Sequence, residues 1–445
     1  MKRREFLSAG ALAAGVTLLS RSSSVYGTPA NDEVHLAMIG CGGRSWGLGG
    51  GFHSRNDARF IYCADAIQGR AEDRANKFTK NGERPKVVQD MRAALDDKSV
   101  DAVVIATCDH WHALAAIWAA QAGKDVYVEK PCSLTAWEGE QMVKAAKKYN
   151  VIIQHGTQNR SAAYNISAKK FIDEGNLGRL QYCRVYNMKG NNAPFRIGKG
   201  EAIPSDLDWD LWCGPAPKHE YSETYVHHWH YLWDFGCGDF SNDGIHQLDL
   251  ARWLIGKEFP NSVYSIGGNY ATEGDRDTPD TQTVLFDYGD LTLNFEMTQN
   301  TPYILKTDGH VRNSDMFPYW MQNGTRIELY GDRAMMIIGR HGGGWQAFAR
   351  PQSRKPVVIG EQFGRFPDAE HQENFISCIR SRQKPNADIE TGHRSALMIH
   401  YGCISFHLRD KININPQSGS ILDCPAAAPL WKREYRLPYE IPEIS

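Results

Sequence analysis

The feature that most narrows the fold is a succession of short apolar runs, each ending in a turn. Val34–Ile39 leads into Gly40-Cys41-Gly42-Gly43-Arg44-Ser45, and Ala58–Ala64 ends at Asp65. Ala102–Thr107 is apolar almost throughout, Asp125–Val128 leads to Glu129-Lys130-Pro131, and Val151–Gln154 follows. Such runs suit strands buried on both faces, as in a parallel sheet covered by helices. Between them, His112–Gln121 and Thr135–Tyr149 show helical apolar spacing, the second opened by a Thr135-x-x-Glu138 capping box. The alternation predicts an α/β fold with a doubly wound parallel sheet built from right-handed βαβ crossovers.

The pattern changes after about residue 160. Ser161–Glu174 reads as a helix stopped by Gly175, and Leu180–Met188 as a strand. Residues 191–240 are rich in Gly, Pro, Trp, Tyr and His with weak periodicity, and a loop region that long is usually functional. A helix is predicted over Asp243–Ile255. Val263–Tyr270, Thr281–Tyr288, Leu291–Met297, Arg326–Tyr330 and Ala334–Ile338 read as strands of a mainly antiparallel sheet, followed by helices over Asp368–Ser381 and Thr391–Leu408. The tail beyond Asn413 is expected to drape over the surface.

The N-terminus stands outside this pattern. Lys2-Arg3-Arg4-Glu5-Phe6-Leu7 precedes an apolar run from Ala9 to Leu19, and small and polar residues follow from Ser22 to Ala30. This is the layout of a twin-arginine export signal, cleaved between Val25 and Ala30. The run is shorter than the roughly 20 residues that span a bilayer. Export of this kind carries folded proteins with their cofactor inside, so a periplasmic location without membrane insertion is expected. The 50 Lys+Arg against 52 Asp+Glu leave a charge of −2, which argues against a nucleic-acid binder. The 12 Trp and 19 Tyr rule out wholesale disorder. The 10 Cys include no C-x-x-C pair and read as small buried hydrophobes.

Four segments carry chemistry. In Gly40-x-Gly42-x-x-Ser45, one Gly serves the tight turn and a second lets the backbone approach a pyrophosphate. Ser45 is the small residue where helix meets strand, and Gly43 and Arg44 lie within the turn. Asp65, closing the second run, stands where an acid takes ribose hydroxyls and repels a 2′-phosphate. The pattern predicts NAD rather than NADP. Lys130 falls at the carboxyl end of the sheet, where it hydrogen-bonds a substrate hydroxyl, transfers a proton, or merely caps a strand. Asp243, His246 and Asp249 recur at a helix start, and a His so placed can take an alcohol proton as hydride leaves. His227-His228-Trp229-His230 invites a metal but lacks a Cys or Asp framework, so none is expected. A polar, aromatic sugar-binding wall over residues 209–233, including His228, Trp229 and His230, is the expectation.

Together these segments resemble the glucose–fructose oxidoreductase/inositol dehydrogenase/MocA (Gfo/Idh/MocA) family, in an exported branch. The resemblance is carried by the GCGGRS turn, ATCDHWHA (Ala106–Ala113), VEKP (Val128–Pro131), GTQNRS (Gly156–Ser161) and DWDLWCGPAP (Asp208–Pro217). GIHQLDLARWLIG (Gly244–Gly256) and His393-Arg394-Ser395 complete it. It implies an NAD(P)-binding Rossmann domain over 31–155 after a signal over 1–30. Residues 156–445 would form an α+β domain with a large open sheet, through which a homodimer or homotetramer assembles. The family's lysine maps to Lys130 and its catalytic histidine to His246. The partner carboxylate position holds Asn242, with Asp243 beside it, so either Asp243 substitutes or Asn242 only positions substrate. Thr107, Asp109, His110, His112, Glu129, Gln158 and Arg160 fall on the cofactor side.

The function expected is oxidation or reduction at a sugar or glycoside hydroxyl, at ring C3, with tightly bound NAD. One alternative is a redox-neutral, NAD-dependent glycoside hydrolase working by oxidation, elimination, hydration and reduction. A second is a non-catalytic sugar sensor, which Asn242 keeps open.

Overall fold

The short apolar runs pair in parallel in the computed structural model, which describes residues 33–190, 193–350 and 355–445. The expected export signal and the residues before Glu33 lie outside the described residues. Strands β1 (Val34–Ile39), β2 (Ala58–Ala64), β3 (Lys86–Val88), β4 (Ala102–Ile105), β5 (Asp125–Val128) and β6 (Ile153–His155) lie in the order β3-β2-β1-β4-β5-β6. Every pairing is parallel. The order reverses between β1 and β4, and the crevice at their carboxyl ends is where ligands bind in such sheets. Helices α1 (Gly43–His53), α2 (Gln68–Lys77), α3 (Arg92–Leu95), α4 (Asp109–Gln121) and α5 (Ala136–Tyr149) connect the strands. The Thr135 capping box forms as the sequence predicts, with Glu138 accepting from the Leu134 and Thr135 N–H groups. Strand β3 escaped prediction because three half-exposed edge residues carry no readable period.

After helix α6 (Ala163–Asp173) comes β7 (Leu180–Met188), the centre of a second sheet. Helices α7 (Trp209–Cys213), α8 (Glu223–His228), α9 (Gly238–Asn242) and α10 (Gly244–Ile255) precede β8 (Ser262–Gly268), β9 (Thr281–Asp287) and β10 (Thr292–Thr298). Helix α11 (Gly309–Arg312) leads to β11 (Arg326–Gly331), β12 (Ala334–Gly339), β13 (Trp345–Ala349) and β14 (Val357–Gln362). Then follow α12 (Asp368–Ser381), α13 (Ile389–Leu408), β15 (Ile412–Ile414) and β16 (Ile421–Leu422). The order is β14-β13-β12-β11-β7-β10-β9-β8-β15-β16, antiparallel except between β7 and β10. Residues alternate buried and open along β9 and β10, because α10 and α13 cover one face.

Two expectations change. Residues 193–237 hold helices α7 and α8 and the 3-10 turn Trp229–Tyr231 around a satellite core of Phe195, Trp209, Trp212, Tyr221, Tyr225 and Phe235. Trp209 and Trp212 stack at 4.8 Å and are 4% and 5% exposed, so these rings pack on each other instead of forming an open wall. The C-terminal tail is anchored. Tyr439, Ile441 and Ile444 are buried, Arg433 meets Glu138 at 3.1 Å, and the Ile444 N–H donates to Gln141 Oε1 at 2.8 Å.

The expected boundary near residue 155 marks the end of β6, yet later segments return to the first sheet. The His155 N–H donates to Ala387 O at 2.8 Å, α12 packs on α1, and α13 touches both α5 and β8. Among the described residues, no helix is long and apolar enough to cross a membrane, and all ten cysteines are free.

Candidate active site

The cleft begins at the glycine turn. Gly40 has φ +84°, and a Cβ there would lie 2.6 Å from the Thr107 backbone nitrogen, so β1 and β4 approach only because this residue is glycine. Beyond it the turn is open. A Cβ at Gly42 would meet only Arg70 Nη1 at 3.8 Å, and one at Gly43 would meet nothing within 4 Å. Helix α1 starts there with no side-chain cap and no acid in its first turn. Its free N–H groups and positive end suit a phosphate. Ser45 is buried and donates to Gly42 O at 2.6 Å, fulfilling the packing role of the third small position.

A cavity of about 500 Å³ extends from this turn past Asp65, Arg70 and Gln89 to Thr107, Trp212 and Trp229. Asp65 accepts from the Cys41 N–H at 2.6 Å and the Ile67 N–H at 2.8 Å. Burial pushes its carboxyl above the usual range, with those two bonds acting in opposition. Arg74, which donates to Ser45 Oγ, lies against the Trp46 ring at 3.3 Å on the same wall. The open turn, the uncapped helix and the acid after β2 fit a dinucleotide.

Farther along, Arg44 donates to Glu129 Oε1 at 2.6 Å, and the Gln158 amide oxygen accepts from Arg44 Nη2 at 2.7 Å. Lys130 Nζ donates to the Asn242 backbone oxygen at 2.5 Å and to its Oδ1 at 3.0 Å. Burial lowers the Lys130 pKa below the ordinary lysine range, against the pull of Glu129, Asp109 and Asp243. Asp109 is buried at the start of α4 with Oδ2 unbonded, and burial pushes its carboxyl up to about 8. His246, on α10, is 4% exposed with Nδ1 unpartnered. Burial, then Arg340 and Lys130, hold it well below the ordinary imidazole range, so it is neutral at pH 7.

Asp243, beside the vacant carboxylate position, makes no ion pair with Lys130 among the described residues. It forms ion pairs with Lys189 and Lys306, each at 2.5 Å, and with Arg340 at 3.3 Å. Burial would raise its pKa, but these cations hold it well below the carboxylate range. Asp249, which shares its spacing, binds Arg160 at 2.9 Å and Ser395 Oγ at 2.6 Å. Arg160 is thereby a buried, paired cation that is not among the residues lining the cavity. His110 Nε2 lies 3.0 Å from Trp212 O, and His112 Nδ1 lies 2.6 Å from Pro131 O with Nε2 3.2 Å from Thr107 O. Both histidines are buried.

The histidine run is dispersed. His227 faces Glu223, His228 stacks on Phe195 at 4.4 Å, and His230 lies 3.9 Å from the Tyr231 ring. Among the described residues, no group of His, Cys, Asp and Glu could hold a metal. Trp229 lines the cavity of the glycine turn instead of a separate sugar wall. Burial lowers the His230 pKa to about 4, with Asp239 and Lys130 as charged neighbours. Sequence reasoning missed Trp46, Arg70, Arg74, Lys189, Lys306 and Arg340. No motif joins them: Trp46 is on α1, Arg70 and Arg74 are one turn apart on α2, and Lys189, Lys306 and Arg340 come from three separate loops.

A family model described as an oxidoreductase family with an NAD-binding Rossmann fold matches residues 34–157. Its companion, the C-terminal alpha/beta domain of the oxidoreductase family, matches 164–314 and 306–441. The chain is 27% identical over 364 residues to scyllo-inositol 2-dehydrogenase (NAD(+)) of Bacillus subtilis (strain 168), covering 79% of this chain and 88% of that protein. Over 168 residues it is 40% identical to levoglucosan dehydrogenase of Pseudarthrobacter phenanthrenivorans, 38% of this chain and 36% of that protein. Its fold matches the WlbA dehydrogenase from Bordetella pertussis, solved with NADH and UDP-GlcNAcA, with TM-score 0.63 at 20% identity, covering 86% of this chain and 99% of that one.

Proposed function

The chain belongs to the Gfo/Idh/MocA oxidoreductase family, and from that premise we propose that it is an NAD(P)-dependent oxidoreductase acting on a sugar hydroxyl. When bound, the nicotinamide supplies the hydride acceptor. The turn at Gly40–Ser45 and the start of α1 receive the pyrophosphate, and Asp65 receives a ribose hydroxyl, which favours NAD. Arg70, on the same cavity wall, is the group that would meet a 2′-phosphate.

The observation that carries the reading is Lys130 held by Asn242 beside the unpartnered Nδ1 of His246. Two of the ammonium hydrogens go to Asn242, and the third is left for the substrate oxygen. Lys130 orients that oxygen and stabilises the charge that develops on it. His246 is neutral and takes the hydroxyl proton. Asn242 cannot accept a proton and fixes the direction of Nζ. Purified protein, loaded with NAD and offered a panel of sugars, cyclitols and glycosides, should show nicotinamide reduction. No change in nicotinamide absorbance with any of them refutes the reading.

We extend the proposal to ring C3 as the position oxidised, to a tightly held cofactor and to twin-arginine export. The RR-x-F-L segment at residues 3–7 supports export, and His227 and Trp229 on the dinucleotide cavity support retention. Borodeuteride reduction of the product locates the ketone, and mass spectrometry of protein purified without added NAD tests retention. The open face of the second sheet, with Tyr264, Ile266 and Leu285 at 38%, 52% and 41% exposed, supports a homo-oligomer, which sedimentation would detect.

A further inference from the structure

Charge is unevenly shared around His246. Lys189 is divided between Asp239 at 2.7 Å and Asp243 at 2.5 Å. Among the described residues, Lys306 and Arg340 pair with Asp243 alone. Arg312 has no carboxylate within ion-pair reach among the described residues, and its guanidinium lies 4.1 Å over the Phe366 ring. Lys130 adds a further cation, whose ammonium bonds the neutral Asn242 alone among the described residues, and the buried acid Asp109 that acts on it is pushed up to about 8 and so offsets little of its charge. The nearby acids Glu129 and Asp368 face Arg44 at 2.6 Å and 3.8 Å.

A cluster that only held loops together would match its charges, because an unmatched buried cation is costly. This one is short of anions, and it borders the reacting groups. Arg340 is 4% exposed with Nε unpartnered. The Lys306 side chain is 45% exposed against 5% for Arg340, so the cationic strip runs from solvent inward. Two guanidinium groups offer forked donors suited to a carboxylate or phosphate.

We infer that the sugar taken by this site carries an anionic substituent, a carboxylate or phosphate, received by Arg340, Arg312 and Lys306. This rests on the oxidoreductase reading and narrows its substrate class. The neutral part of the substrate then reaches Lys130 and His246, while the charged end sets its direction. Electrostatic attraction of this kind weakens with salt.

The test uses the NAD-loaded enzyme with glucose, glucuronate and glucose 6-phosphate, and with inositol as a neutral cyclitol. A charged sugar should exceed its neutral parent by at least about 10-fold in kcat/KM, and its KM should rise with ionic strength. The uronate and phosphate arms tell the two anions apart. Arg312→Gln should raise KM for the preferred anion about 10-fold with little change in kcat. Neutral sugars used as well as charged ones overturn the inference. So does a variant that shifts the pH profile for all substrates without changing selectivity, since the cations would then serve only to tune Lys130. If no sugar is oxidised, the oxidoreductase reading fails, and calorimetry with glucuronate decides the anion site. Weaker binding in Arg312→Gln supports it, and equal binding overturns it.

Discussion

At the dinucleotide end of the cleft, the ligand-facing atoms are mostly backbone from one short stretch, 40–45, with Asp65 and Thr107 beside it. At the other end they are side chains gathered from the turns after β5 and β12, from α9 and α10, and from the loops around 189 and 306. Backbone positions are fixed once β1, α1 and β4 pack. Side-chain positions depend on every partner being present. One end therefore tolerates little change in shape but much in surrounding charge, and the other the reverse.

The largest effect should come from the side-chain end. Lys130→Met removes the group proposed to orient the substrate oxygen, and kcat should fall about 1,000-fold. NADH binding, followed by fluorescence, should persist, and its loss would show that the two ends are not separable. At the backbone end, Gly40→Ala forces a left-handed residue against Thr107. The conformation alone costs about 1–2 kcal/mol, so Tm should drop and NADH affinity should fall with it. A variant with unchanged Tm would remove the claim that this end depends on backbone shape.

Smaller effects sharpen the contrast. Asp65→Ser should lessen discrimination against NADP about 10-fold, read as the ratio of kcat/KM values for the two cofactors. Asn242→Asp puts a carboxylate against Lys130 and should raise its pKa by about one unit. Lys130 is active as the ammonium, so kcat/KM should decline as pH rises through its lowered pKa, and this alkaline limb should move upward in Asn242→Asp. With His246 well below 6.5, no inflection near that pH is expected in the wild type.

The same contrast explains what could be read in the sequence. The parallel sheet was legible because β4 and β5 are buried at every position, and the second sheet because β9 and β10 alternate. The glycine turn was legible because its chemistry is local. Helices α7 and α8 were not, since five-residue and six-residue helices bury aromatics from several turns and show no period. The charge on Asp243 invited a catalytic role, but its charged neighbours could not be read from the sequence. Three cations distant in sequence converge on that residue, and only the tertiary structure brings them together. Asn242, neutral and unremarkable as a letter, is the residue that meets Lys130.

The return of residue 387 to the edge of β6 has a consequence for how the molecule is made. Synthesis proceeds from the N-terminus, so β6 leaves the ribosome with one rim bare and Gln154 waiting for His371, 217 positions later. A bare strand rim is a template for wrong pairing. The dinucleotide half is thus a late product of its own chain, finished only when the last quarter arrives. A polypeptide released early, even one holding every residue of the glycine turn, would carry the cofactor's cradle on an unsealed sheet.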